Sequence, residues 1–436
     1  MKQLIRIFSS ACFYSLALLM ILGIVTTASA TNGYFSHGYS VQNKGLAGAG
    51  TALPTDTLTA ATNPAAMVYV GNRADVGLAV FNPNREYTVT GTAGHLDLGT
   101  VKSDSKWFFI PYFGFNKMLS DKNSISLSVY GNGGMNTDYD KATYPGAGAS
   151  NPTGVDLAQL FLAPSYALKV HSNHAFGVSA IVAYQVFEVQ GLAPFAGLSQ
   201  NGNKVTNNGH EDAFGFGGRI GYYGQILPGL SIGVSYQTKI NMTKFHDYEG
   251  LFAEEGDFDI PANWNAGIAY KPIPELTLVF DVQQIFYSDV DSVGNPFNPA
   301  FNTCNAAVMG GANPATVSQC LGGNSGVGFG WDDMTIYKFG VQYQGRPDLT
   351  LRAGYSFGQQ PIPDKEVLFN IIAPGVIEQH VTAGITKTIG EKQELNLALM
   401  HAFSNDISGK NPLFPAQTIE LKMNQWELTA GYSWKF

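Results

Sequence analysis

The chain ends WELTAGYSWKF, and this stretch alternates. Trp426, Leu428, Ala430, Tyr432, Trp434 and Phe436 fall on one face of an extended chain; Gln425, Glu427, Thr429, Gly431, Ser433 and Lys435 fall on the other. Successive strand side chains point to opposite faces, so one side is oily and the other wet. A soluble sandwich also alternates, with its oily face turned into a core. Here, however, aromatic residues occupy both ends of the oily face and smaller ones its middle. Ten steps of about 3.3 Å reach roughly 33 Å. Tilted by about 40°, they span about 25 Å, the height of the apolar band between the aromatic girdles of a membrane barrel.

The alternation recurs. Leu349, Leu351, Ala353, Tyr355 and Phe357 oppose Thr350, Arg352, Gly354 and Ser356. Leu230, Ile232, Val234, Tyr236 and Ile240 oppose Ser231, Gly233, Ser235, Gln237 and Lys239. Leu278, Phe280, Val282 and Phe286 oppose Thr277, Asp281 and Gln283, and Leu395, Leu397 and Leu399 oppose Glu394 and Asn396. Tight-turn chemistry falls at 119–123, 169–174, 226–229, 271–275, 345–348 and 390–393, all rich in Gly, Pro, Asn or Asp. Long connections lie between them, at about 91–106, 133–157, 191–211, 245–257, 291–330, 359–376 and 405–417. Such a count joins about 14 strands, and bacterial barrels have even strand numbers, short periplasmic turns and long outer loops. The chain reads as all-β: a transmembrane antiparallel β-barrel of the bacterial outer membrane, monomeric, with both ends periplasmic. Its final Phe436 resembles the C-terminal signature of such barrels. That strand is expected to meet the barrel-assembly machinery, and the outer wall to meet membrane lipid and lipopolysaccharide.

Composition agrees. Charged residues make up 13% of the chain, against about 25% in an average soluble domain; aromatics reach 12% and glycines number 50. Residues 1–30 read as a secretory signal peptide, with Lys2 and Arg6 before an apolar run from Phe13 to Val25 and a small-residue cleavage site at Ala28-Ser29-Ala30. Beyond it no stretch approaches the ~20 apolar residues of a spanning helix, which leaves a closed barrel as the spanning option. The formal net charge of −8 disfavours a nucleic-acid partner. Cys304 and Cys320 remain after the leader is removed, an even pair in an oxidising compartment, and a disulfide is expected. No metal-ligand spacing supports a metal site, and no cofactor is implied.

Residues 31–74 do not alternate; small residues dominate, with apolar content too high for a disordered tail. Asn63-Pro64 has local meaning. Asn is a good helix cap and Pro suits the first helical position, so a short turn from Pro64 to Val68 is expected. The stretch NGYFSHGYSVQNKGLAGAGTALPTDTLTAATNPAAM resembles the N-terminal hatch of the FadL-type outer-membrane transporters of long-chain fatty acids and aromatic hydrocarbons. The marks are the Gly/Ala-rich run and then Asn63-Pro64-Ala65 just before the first strand. PYFGFNK (111–117) and VYGNGGMNTDY (129–139) continue the likeness, which covers essentially the mature chain.

The resemblance implies a hatch over 31–74 that plugs a barrel over 75–436, a substrate pocket between hatch and wall, and a kink in the third strand that opens a side window. Asn63, Pro64 and Ala65 match the hatch motif beside that kink. Glycines permit bulges and close approach, and Gly131, Gly133 and Gly134 are the candidate kink residues. Burying a CH₂ is worth about 0.8 kcal/mol, so a long acyl chain leaves water readily once a path exists. Arg219, Lys239, Lys338 and Arg352 face the lumen by alternation and are candidate carboxylate anchors. The leading function is passive uptake of long-chain fatty acids, with aromatic hydrocarbons as the alternative cargo. From other classes, a barrel-wall lipid-active enzyme built on His401 and Ser404, a non-specific pore, and a receptor or adhesin role of the loops are weighed against it.

Overall fold

The computed structural model describes residues 32–436; the expected leader lies outside them. In chain order the strands are β1 (Arg73–Gly91), β2 (Gly99–Lys102), β3 (Phe108–Ser120), β4 (Asn123–Tyr139), β5 (Thr153–His171), β6 (His174–Gln190), β7 (Glu211–Leu227) and β8 (Leu230–Gln237). They continue with β9 (Asn241–Met242), β10 (Asn263–Ile273), β11 (Leu276–Ile285), β12 (Met334–Arg346), β13 (Leu349–Gly358), β14 (Gln379–Ile389), β15 (Gln393–Lys410) and β16 (Gln417–Lys435). All belong to one antiparallel sheet. β2 and β9 are short additions on β1 and β7; the other 14 form the wall. β16 pairs with β1 from Arg73↔Lys435 to Gly91↔Gln417, which closes the cylinder.

Alternation decides the two faces. Leu428 is 51% exposed and Trp434 47%, while Glu427 and Ser433, each just before one of them, are buried. The tight turns fall where Pro, Gly, Asn and Asp predict them, as at Pro228-Gly229 and Pro347-Asp348. Two boundaries differ from expectation. The connection after β4 runs over 140–152 rather than 133–157, because Met135, Thr137 and Tyr139 stay paired with Leu157, Val155 and Thr153. β8 stops at Gln237; Ile240 then bridges Ile260 and is fully buried instead of facing lipid. Period-two reasoning carries no information once a strand has ended.

Residues 32–72 lie inside the barrel. Asp56 caps a 3₁₀ turn over Thr57–Ala61 and Asn63 caps another over Pro64–Tyr69, satisfying amides that a helix start leaves free. Inward-facing wall residues hold this segment. Lys44 meets Glu427 at 2.8 Å, Thr57 donates its amide to Asp75 at 2.9 Å, and the Gly50 and Thr51 amides each donate to Asp281 at 2.8 Å. Over the opposite end, the connections 191–210, 238–262, 286–333 and 359–378 fold into an apolar cap. Cys304 and Cys320 are joined by a disulfide within the longest of them.

Candidate functional site

The wall changes character at β4. β3 and β4 are paired only up to Phe113↔Val129, whereas β3 stays on β1 as far as Phe81↔Phe108. From Phe108 to Tyr112, then, β3 has no β4 partner. At the same height β4 carries a bulge between Gly131 and Gly133, with Asn132 as the extra residue. The ladder β3 has left is taken up from inside: the Ser36 amide donates to the Asn132 carbonyl and the Gly134 amide to the Tyr34 carbonyl, both at 2.9 Å. A Cβ on Gly133 would stand 1.9 Å from the Tyr34 oxygen, so only glycine admits this approach. Gly131, Gly133 and Gly134 thus lie within a strand and do not begin a loop.

Asn63, Pro64 and Ala65 are not at this bulge, contrary to the expected arrangement. They dock near the short-turn end of the barrel, where a Cβ on Gly221 would meet the Asn63 Oδ1 and one on Gly177 the Ala65 amide. Asn63 Nδ2 donates to the carbonyls of Thr51 and Tyr222, each at 2.9 Å. The residues that do meet the bulge are Tyr34, Phe35 and Ser36. Adjacent aromatics in a segment without periodicity gave no sign of which way they point.

From the bulge a column of rings leads to the cap. Phe35 lies 5.8 Å from Tyr287, Tyr287 5.1 Å from Tyr34, Tyr34 6.3 Å from Phe258, and Phe258 4.7 Å from Phe252. Trp331 packs on both tyrosines. Phe252 lines an apolar cavity of about 20 Å³ with Phe187, Phe329, Phe369 and Ile372. Beside the column runs a chain of buried amides. Tyr39 Oη donates to Asn132, Asn132 to Gln159 at 2.9 Å, Gln159 to Gln185 at 2.7 Å, and Gln185 to the Phe258 carbonyl at 3.2 Å. It ties the bulge residue to the cap.

Below the column lies a polar cavity of about 10 Å³, room for about one water. Arg219 and Lys338 both line it, with His37, Tyr39 and Asn263. Arg219 donates to Tyr130 Oη at 3.3 Å and to Gln237, and its buried Nε has no partner. The inward carboxylates are engaged elsewhere: Glu427 by Lys44, and Asp75 and Glu394 by Arg73 at 2.8 Å. Asp281, across from Lys338 in register, is bound through Oδ2 to the inner segment. Burial, with Lys44 and Lys338 nearby, holds His37 well below its ordinary range. The cavity therefore presents two buried basic side chains that form no ion pair within 4.0 Å among the described residues, with Asp281 as the nearest acid to Lys338.

Of the other expected anchors, Arg352 donates to Gln342 at 2.9 Å, Thr386 at 2.6 Å and Gln42 at 3.1 Å, away from this cavity. Lys239, expected to face the lumen, lies past the end of β8 and pairs with Asp259 at 2.9 Å with its side chain 42% exposed. His401 stacks on Trp426 at 4.1 Å between centroids and bonds the Gln425 carbonyl. It is part of the aromatic girdle, and no bond to Ser404 is formed. Among the described residues no cluster of side chains suited to a metal ion occurs.

A closed barrel filled by its own residues 32–72, with rings leading from an apolar cap to a seam in the wall, defines a channel for greasy molecules. The sequence profile of the outer membrane protein transport protein family (OMPP1/FadL/TodX) matches residues 22–436, and the chain belongs to that family. It is an outer-membrane transporter of hydrophobic molecules. The Pseudomonas putida toluene transporter TodX has a similar fold at 19% identity, with a TM-score of 0.65 over 92% of this chain and 99% of that one. A Pseudomonas aeruginosa FadL homologue gives 16% identity and a TM-score of 0.68 over 93% and 100%. The Ralstonia pickettii toluene transporter TbuX gives 16% and 0.60 over 92% and 99%. No curated protein matches the sequence.

Proposed function

We propose that the cargo is a long-chain fatty acid, taken up without energy input through the apolar cap and released sideways into the membrane at the β4 bulge. The observation that carries this reading is the pair of buried cations, Arg219 and Lys338, on one cavity at the foot of the aromatic column. An acyl chain suits the column, and a carboxylate suits the cations. The cavity is too small for a carboxylate as it stands, so entry requires the segment Ser36–Tyr39 to move. That segment adjoins the one bonded across the bulge. Arrival of the headgroup thereby frees the seam between β3 and β4, the inner segment acting as a hatch. On this reading Gly131, Gly133 and Gly134 belong to the gate, and Asn63, Pro64 and Ala65 hold the hatch in place. Both chain ends are on the periplasmic side.

A second reading, an uncharged aromatic hydrocarbon, is favoured by the column itself, whose offset and edge-on rings suit an aromatic guest. Uptake of labelled oleate and of toluene by a deletion strain carrying Arg219→Met or Lys338→Met separates the two. Loss of a charged hydrogen bond is worth about 1.5–3 kcal/mol, so oleate uptake at limiting concentration should fall about tenfold or more while toluene uptake holds. Unchanged oleate uptake in both variants refutes the carboxylate site.

A further inference from the structure

The outer wall carries a second feature, independent of which cargo is transported. Between the end of β2 at Lys102 and the start of β3 at Phe108, β1 is paired at Pro83 and Asn84 only on its β16 side and has no strand on the other. A groove of about 270 Å³ opens there. Lys102, Lys106 and Lys422 line it, and Arg85 lies within it, buried, its Nε without a partner. Lys102, Glu86 and Lys422 stand in one cross-strand row on β2, β1 and β16. Glu86 is the one carboxylate lining the groove, and both lysines reach it loosely, at 3.7 and 4.0 Å. Asp406 faces Lys422 in register on β15 but forms no ion pair with it. In a chain whose net charge is −8, the lining itself carries four basic side chains against one carboxylate, with Asp138 and Asp156 near Arg85 on its inner side.

Its height identifies the ligand. Trp107 is 65% exposed and Trp426 46%; Trp426 pairs in register with Asn82, next along β1 from the groove. Such tryptophans mark the boundary between acyl chains and headgroups. Outward residues change there from Leu78 and Val80 to Asn82, Asn84 and Glu86. The lysines stand just beyond that line, where the headgroups of the outer leaflet lie. We propose that this groove binds the phosphate of an outer-leaflet phosphorylated glycolipid, with Lys102, Lys106 and Lys422 as its cationic contacts and Arg85 as its floor. The groove also backs onto the connection between β2 and β3, which is bonded to β4. Ser103 accepts from the Asp138 amide at 3.0 Å and the Asp104 amide donates to the Asp138 carbonyl at 2.8 Å, joining β4 to the loop that carries Lys106. A lipid held here steadies the lintel of the lateral opening.

Native mass spectrometry of the purified full chain in detergent tests this, with bisphosphorylated lipid A, dephosphorylated lipid A and inorganic phosphate as probes. The wild-type chain is expected to retain the phosphorylated lipid at least tenfold better than the dephosphorylated one, with millimolar phosphate failing to displace it. Lys102→Gln, Lys106→Gln and Lys422→Gln together should reduce retention to the dephosphorylated level, whereas the corresponding triple arginine variant, which keeps the charge, should retain the lipid. Equal retention of the two lipids, wild-type retention by the glutamine variant, or loss in the arginine variant overturns the proposal. Full displacement by inorganic phosphate also overturns it, in favour of a small-anion site.

Discussion

Gly133 shows how much depends on one missing carbon. Gly133→Ala places a methyl group where the Tyr34 carbonyl now sits, so Tyr34 to Ser36 must leave the bulge while the β4–β5 ladder is untouched. The variant should assemble as a heat-modifiable barrel yet admit a hydrophobic dye faster than wild type; an unchanged dye rate counts against the seam. Asn63→Ala removes the bonds to the Thr51 and Tyr222 carbonyls and the cap on the Ala65 amide. At about 1 kcal/mol each, it should raise proteolysis within the inner segment severalfold without unfolding the wall. At this scale the sequence was partly legible. Arg219 and Lys338 could be found by parity, because their strands run on past them. Lys239 could not, because parity fails two residues beyond Gln237. Tyr34 and Phe35 could be seen but not aimed.

At the scale of elements, the inner segment depends on pH through Asp56. Burial first, then Asp75, raises its pKa to about 6, with Arg73 opposing. An unfolded Asp titrates near 3.9, so the docked segment binds the proton more tightly. This contribution is complete below about pH 4 and lost as pH rises through about 6. Amide protection over 57–62 should be higher at pH 5 than at pH 8, and Asp56→Asn should flatten the difference. In the cap, the disulfide closes a loop across a separation of 16 residues, worth about 3 kcal/mol in the chain-entropy account. Reduction, or Cys304→Ser, should speed cleavage within 286–333 and leave the barrel's heat-modifiability unchanged. Turn chemistry placed the short connections closely. The long ones are set by contacts between distant segments, such as Tyr139 Oη with the Ile371 carbonyl, and no local pattern encodes those.

For the whole molecule, the barrel was legible because each wall strand had to satisfy lipid on one side and the lumen on the other. That demand is written with period two. What fills the lumen was legible only as an exception to the period. The contents can be tested by removal: without residues 32–70 the wall strands keep their ladder, and single-channel conductance should rise from closed to porin-like. Conductance equal to wild type would show that those residues do not block the passage.

The seam has one further consequence. The bonds that shut it run from β4 to the molecule's own interior, not from one stave to the next, while β16 and β1 remain clasped along their full length. If cargo leaves by the route proposed above, such a port swings without loosening the hoop, and the cylinder discharges repeatedly without passing through an unzipped form.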